Sequence, residues 1–240
     1  MSDDQEYPWL DGTEDLFTPK GGCILNACLT YRRGAGFHAY AYGYRRSAEM
    51  LFESLRERHY SDPQYFALAF LWRQALELTL KYLHERLGQL ELMEEHRTPS
   101  KKASASATTP PARTHDLRKL WASIEPRMQR FMPDAPEHGW IARVVEQFHR
   151  VDPGSEEFRY PVKAGTGTKS LTSLPDSVVS LSALDYSMRA LMNTLEAAGD
   201  EVDRLFGKHV DELERAEQTK SDNAPAESTA TTPPLPGTRR

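Results

Sequence analysis

Arg73, Glu77 and Lys81 follow one another at steps of four in "FLWRQALELTLKYLHERL", residues 70–87, and His84 comes three residues later. At 100° per residue the four side chains fall within about a quarter-turn of one helix. An imidazole can give or take a proton near neutral pH, a guanidinium can clamp an anion with its fork of N–H groups, and a carboxylate can orient either. Two other segments carry matching chemistry. "THDL", residues 114–117, supplies His115 and Asp116, and "FRYP", residues 158–161, supplies Arg159 and Tyr160 just ahead of a glycine-rich run. Arg73, Lys81, His115 and Arg159 are thus one candidate set of proton-transfer and anion-binding groups, with Glu77 and Asp116 as orienting carboxylates.

The stripe has three readings: the solvated edge of an amphipathic helix, a polar cluster inside a bundle, or the wall of a functional cleft. Leu71, Leu76, Leu78, Leu80, Tyr82 and Leu83 cover the rest of the circumference. That arc is wider than the roughly 100° of a surface helix, so this helix belongs in the middle of the fold. A carboxylate on a buried helix needs a partner. Arg159 is the first candidate to pair with Glu77, because a guanidinium on a glycine-rich loop can approach and fork onto it. Arg73 and Lys81 are the alternatives.

The elements that must position these groups read as helices. A first helix follows Gly36, with Tyr44, Ala48, Leu51, Phe52 and Leu55 on one face. The second opens after "SDP", residues 61–63. Leu117, Leu120, Trp121 and Ile124 mark a third, with Thr114 as expected N-cap and Pro126 expected to kink or end it. "DAPE", residues 134–137, resembles a capping box opening a fourth helix that carries Trp140, Ile141, Val144, Val145 and Phe148. A long fifth helix starts near "LPDS", residues 174–177, with an interruption expected at Gly199. Between the fourth and fifth lies an irregular loop or small hairpin. Strand patterns are few, so the expected fold is all-α, a bundle of about five helices.

Composition sets the limits. The chain has 240 residues, a net charge of −5 and a hydrophobic fraction of 39%. That suffices for one domain, expected over residues 21–215. Residues 1–20, the Ser/Ala/Thr/Pro-rich loop 97–113 and the tail 216–240 are expected to be disordered. An acidic chain is not a general nucleic-acid coat, so any such contact must be local. Cys23 and Cys28 form neither a disulfide scaffold nor a CxxC knuckle. No HExxH, P-loop or GxSxG elbow occurs, and no metal or cofactor site is expected. The acidic start and the absence of a long apolar run predict a soluble cytoplasmic protein.

"AYAYGYRRSAEMLFESL", "FLWRQALELTLKYL", "THDLRKLW" and "DPGSEEFRYPV", in that order over roughly residues 35–195, resemble a family of bacterial HEPN-like helical proteins. The resemblance implies a helical bundle, often dimeric. It also implies metal-independent endoribonuclease activity on RNA in phage-defence or toxin–antitoxin systems, or else a non-catalytic interaction or nucleotide-binding module. Active members carry Arg, four to six residues, then His. Arg143 and His149 in "RVVEQFH" match that spacing best and are the catalytic residues the resemblance implies; Arg204 with His209 and Arg33 with His38 also match. Val144 departs from the polar residue the family places after its arginine.

Overall fold

The computed structural model describes residues 36–58, 62–97, 114–133, 138–162, 167 and 178–222. Five helices run in chain order: α1 (Phe37–Arg58), α2 (Gln64–Arg97), α3 (Leu117–Phe131), α4 (His138–Val151) and α5 (Leu181–Asp222). The fold is an all-α bundle, and no strand occurs among the described residues. "DAPE", the 98–113 part of the expected flexible loop, and nearly all of the glycine-rich segment before α5 lie outside them.

α2 is the axis of the bundle and packs against α1, α3 and α5. Leu68, Trp72, Leu76, Leu80, Leu83, Leu87 and Leu90 are fully buried along it, with Ala69 and Ala75 on other sides of the same helix. A helix apolar nearly all round has no free face and must lie inside. α3 lays Leu117, Leu120, Ile124 and Met128 against it, and α4 packs on α3 through Ile141, Val144, Val145 and Phe148. α5 contributes Met188, Leu191, Met192, Leu195 and Val202 from the other side, most of them spaced by three or four.

Four local expectations need correction. The N-cap of α3 is Asp116, whose carboxylate accepts from the Arg118 and Lys119 amides; Thr114 instead accepts from the Asp116 amide. Aspartate wins because it meets two orphan amides with a full charge. Pro126 does not end α3, which runs on to Phe131. The ring sits on an exposed position, where the missing N–H costs no buried bond. α5 begins at Leu181, with the Ser180 hydroxyl accepting from the Ala183 amide at 3.2 Å. It passes Gly199 without interruption and runs to Asp222.

Candidate functional site: a buried charge network beneath His115

Arg73 and Glu77 are essentially inaccessible to solvent, and Lys81 and His84 are 6% and 5% exposed. The stripe on α2 is therefore no solvated edge. It faces the start of α3 and the turn after α4, as a polar cluster inside the bundle.

Each nitrogen of the Arg73 guanidinium is directed at a different element. Nη1 donates to Glu77 Oε2 at 2.6 Å, one turn along α2. Nη2 donates to the His115 carbonyl at 2.6 Å, holding the approach to α3. Nε lies 3.1 Å from Asp152 Oδ2 as an ion pair and 3.4 Å from the Asp152 carbonyl, just past the end of α4. One guanidinium thus ties three parts of the chain together, which suits its rigid fork. Asp152 is itself fully buried, and its Oδ1 accepts from the Glu156 and Glu157 amides at 2.7 and 3.1 Å. Beside it, Ser155 takes a left-handed φ of 63°, and its hydroxyl accepts from the side-chain amide of Gln74 on α2. Phe158 clamps the same turn between Tyr65 and Phe148.

Glu77 is the hub. Its Oε1 receives the Lys81 ammonium at 2.7 Å and lies 2.9 Å from His115 Nδ1, while Oε2 takes Arg73. Burial alone would push the Glu77 carboxyl up. The hydrogen bond from Lys81 and the charge and hydrogen bond of Arg73 outweigh it and hold the group below the ordinary carboxylate range. An ionised carboxylate only accepts, so the proton of the Glu77–His115 contact belongs to His115 Nδ1. In the neutral ring the lone pair then resides on Nε2. The His115 side chain is 57% exposed above a carboxylate that is 2% exposed. A solvent-reaching imidazole whose Nδ1 is held by a buried, twice-paired carboxylate leaves Nε2 open to exchange a proton with whatever lies above it.

His149 comes to the same end of α3. Its Nδ1 is 3.2 Å from Asp116 Oδ1, at ion-pair distance without hydrogen-bond alignment, and its side chain is 15% exposed. Adjacent residues 115 and 116 therefore each contact an ionisable group from another helix. Arg143 is exposed. His149 follows it by six residues, which sets the two about 120° apart around α4.

The expected Arg159–Glu77 pair does not form. Arg159 is exposed; its Nε donates to the Ser155 carbonyl at 2.5 Å, and its guanidinium lies 5.4 Å from the ring of Tyr160, also exposed. Asp152 and Arg73 occupy the place expected for Arg159, and the alternative partners Arg73 and Lys81 hold Glu77. His84 leaves the cluster for α3, with Nδ1 2.9 Å from Ser123 Oγ and 3.4 Å from an Arg127 nitrogen. Burial, then the Arg127 charge, lower its pKa. Among the described residues no group of three or more His, Cys, Asp or Glu side chains could hold a metal ion, and no helix is long and apolar enough to cross a membrane.

Fold and site define an all-α bundle organised around a buried Arg73–Glu77–Lys81–Asp152 network with a half-exposed histidine on top. Comparison with known proteins gives no matching family model, no matching curated protein and no matching solved structure.

Proposed function

We propose that the protein acts on RNA as a metal-independent endoribonuclease of HEPN-like type, in a bacterial phage-defence or toxin–antitoxin setting, and that His115 is its general base. The observation that carries this reading is the Glu77–His115 contact beneath an exposed imidazole. Cleavage without a metal needs a base to take the proton of a 2′-hydroxyl, cationic groups for the charge growing on the phosphate, and an acid for the leaving oxygen. His115 Nε2 fits the first role. Lys119, largely exposed at the start of α3, fits the second, and Arg143, exposed on α4, is the cation that the family resemblance implies for it. His149 beside Asp116 fits the third. Arg73, Lys81 and Asp152 are positioning residues, since they act through Glu77 or the chain around it.

Purified protein incubated with single-stranded and hairpin RNA in excess EDTA tests this. The wild type should cleave, and His115→Ala should lose about 10²- to 10⁴-fold in rate, the usual worth of a general base. Arg143→Ala/His149→Ala should also lose activity. Uncleaved RNA with the wild type, or an unimpaired His115→Ala protein, would overturn the proposal. A second reading, a non-catalytic interaction or nucleotide-binding module, is favoured by the angular separation of Arg143 and His149 on α4. RNA or nucleotide binding without cleavage is the outcome it expects.

A further inference from the structure

A cavity of about 180 Å³ opens where α1, α2 and α5 meet, and no residue of the Glu77 network lines it. Each helix gives it side chains one turn apart: His38 and Tyr42 from α1, Thr79 and Tyr82 from α2, Glu196 and Asp200 from α5. A cavity of about 150 Å³ accepts a benzene ring, so this one has room for a compact molecule of similar size. Thr79 forms the floor. It is only 5% exposed, and its hydroxyl has no hydrogen-bond partner among the described residues. That hydroxyl is not sealed off from solvent, so it opens on the cavity.

The charges around the cavity do not cancel. Glu196 is paired with Arg45, whose Nη1 stands 2.7 Å from Oε2. Asp203, one turn beyond Gly199, is held by Arg86 and by the Tyr82 hydroxyl. Asp200 is different. It is exposed at the mouth and has no ion-pair or hydrogen-bond partner among the described residues. No lysine or arginine lines the cavity among those residues, so one negative charge is left over. Beside it stand aromatic rings. Tyr82 is fixed by its 3.0 Å bond to Asp203 and carries the His38 ring, centroids 5.0 Å apart, and Tyr42 is half-exposed on the α1 side. Aromatic rings attract ammonium ions, quaternary ones included, through their ring electrons.

We infer that this cavity binds a small ammonium compound with a hydroxyl end, of the choline class. The ammonium group lies at the mouth, between Asp200 and the aromatic rings, and the hydroxyl reaches Thr79 on the floor. The Thr79 hydroxyl can donate or accept, so it answers an alcohol in either sense. An anion would meet Asp200 with no fixed cation to offset it.

The test is calorimetric titration of the full chain with choline, with its uncharged isostere 3,3-dimethyl-1-butanol, and with tetramethylammonium, which lacks the hydroxyl arm. Choline should bind at one site per chain, about tenfold more tightly than the isostere, as a cation held by rings and a carboxylate should. Asp200→Asn, at an exposed position outside the core, should weaken choline and leave the isostere unchanged. Thr79→Val keeps the shape of the floor without its hydroxyl. It should weaken choline by about tenfold, the worth of one net hydrogen bond, and leave tetramethylammonium unchanged. Failure of choline to bind, equal binding of choline and its isostere, or a choline affinity unmoved by Asp200→Asn or by Thr79→Val would overturn the assignment.

Discussion

Two buried cations, Arg73 and Lys81, are paired by Glu77. Removing one partner of a buried ion pair leaves an uncompensated charge, at a cost of about 3–5 kcal/mol. Glu77→Ala leaves Lys81 without its carboxylate and Arg73 with Asp152 alone, and should lower stability by about that range, read as a fall in the urea midpoint. Glu77→Gln keeps one acceptor oxygen and should cost less. Arg159→Ala should change stability by no more than about 0.5 kcal/mol, as for most surface substitutions. A large loss for Arg159→Ala would mean that the FRYP turn, and not Arg73, compensates Glu77. That Glu77 is buried and paired is legible in the sequence, since a charged step of four on a helix apolar around the rest of its circumference is carried into the core with it. The part played by Asp152 is not. "VDPGS" has the pattern of a turn, and Asp152 Oδ1 does cap that turn. The second role, facing Arg73 from 79 residues away, leaves no local pattern. A guanidinium beside glycines suits a carboxylate, which favours Arg159 on chemistry alone, but the left-handed Ser155 brings its own carbonyl within Arg159's reach.

At the level of elements, the helices are legible wherever apolar spacing is regular, and their ends are not. The five expected helices correspond to α1–α5, yet the residues that signal breaks behave otherwise. Gly199 is the clearest case. It permits close approach between helices: a Cβ there would stand 3.1 Å from the Tyr82 ring of α2. Tyr82 is not free to swing away, since its hydroxyl donates to Asp203 at 3.0 Å, and burial followed by that carboxylate pushes its pKa up to about 12. Gly207, two turns on, has nothing within 4 Å of the same position. Gly207→Ala should therefore stabilise by about 0.5–1 kcal/mol, the backbone entropy a helical glycine forfeits. Gly199→Ala should show no such gain, because moving the Tyr82 ring offsets it. Thermal melts of the two variants side by side check this; equal gains would mean that α2 and α5 are not in the tight contact described.

For the whole molecule, the buried ionisable groups set how stability follows pH. His84 is held below its ordinary value of 6.5, first by burial and then by Arg127. The unfolded chain thus takes up this proton before the folded one does. The contribution is full above about pH 6.5 and is lost as pH falls from there through the folded value. Glu77 and Glu49 come next. Burial works against both, but Lys81 and Arg73 at Glu77, and Arg45 and Arg46 at Glu49, hold each below 4.5. Their contributions are present above about pH 4.5 and disappear as pH falls through their folded values. Asp185 runs the other way. Burial raises it above 3.8 despite Arg189, so the folded chain binds that proton first and gains from acidification just above pH 3.8. Three groups lose and one gains, so the urea midpoint should be level from about pH 7 to 9, begin to fall as pH drops below about 6.5, and fall more steeply below about 4.5. His84→Gln should remove the first decline and leave the second. A wild-type midpoint flat from about pH 7 to 5, or a first decline that survives in His84→Gln, would show that His84 is not the neutral, buried group that its place against α3 requires.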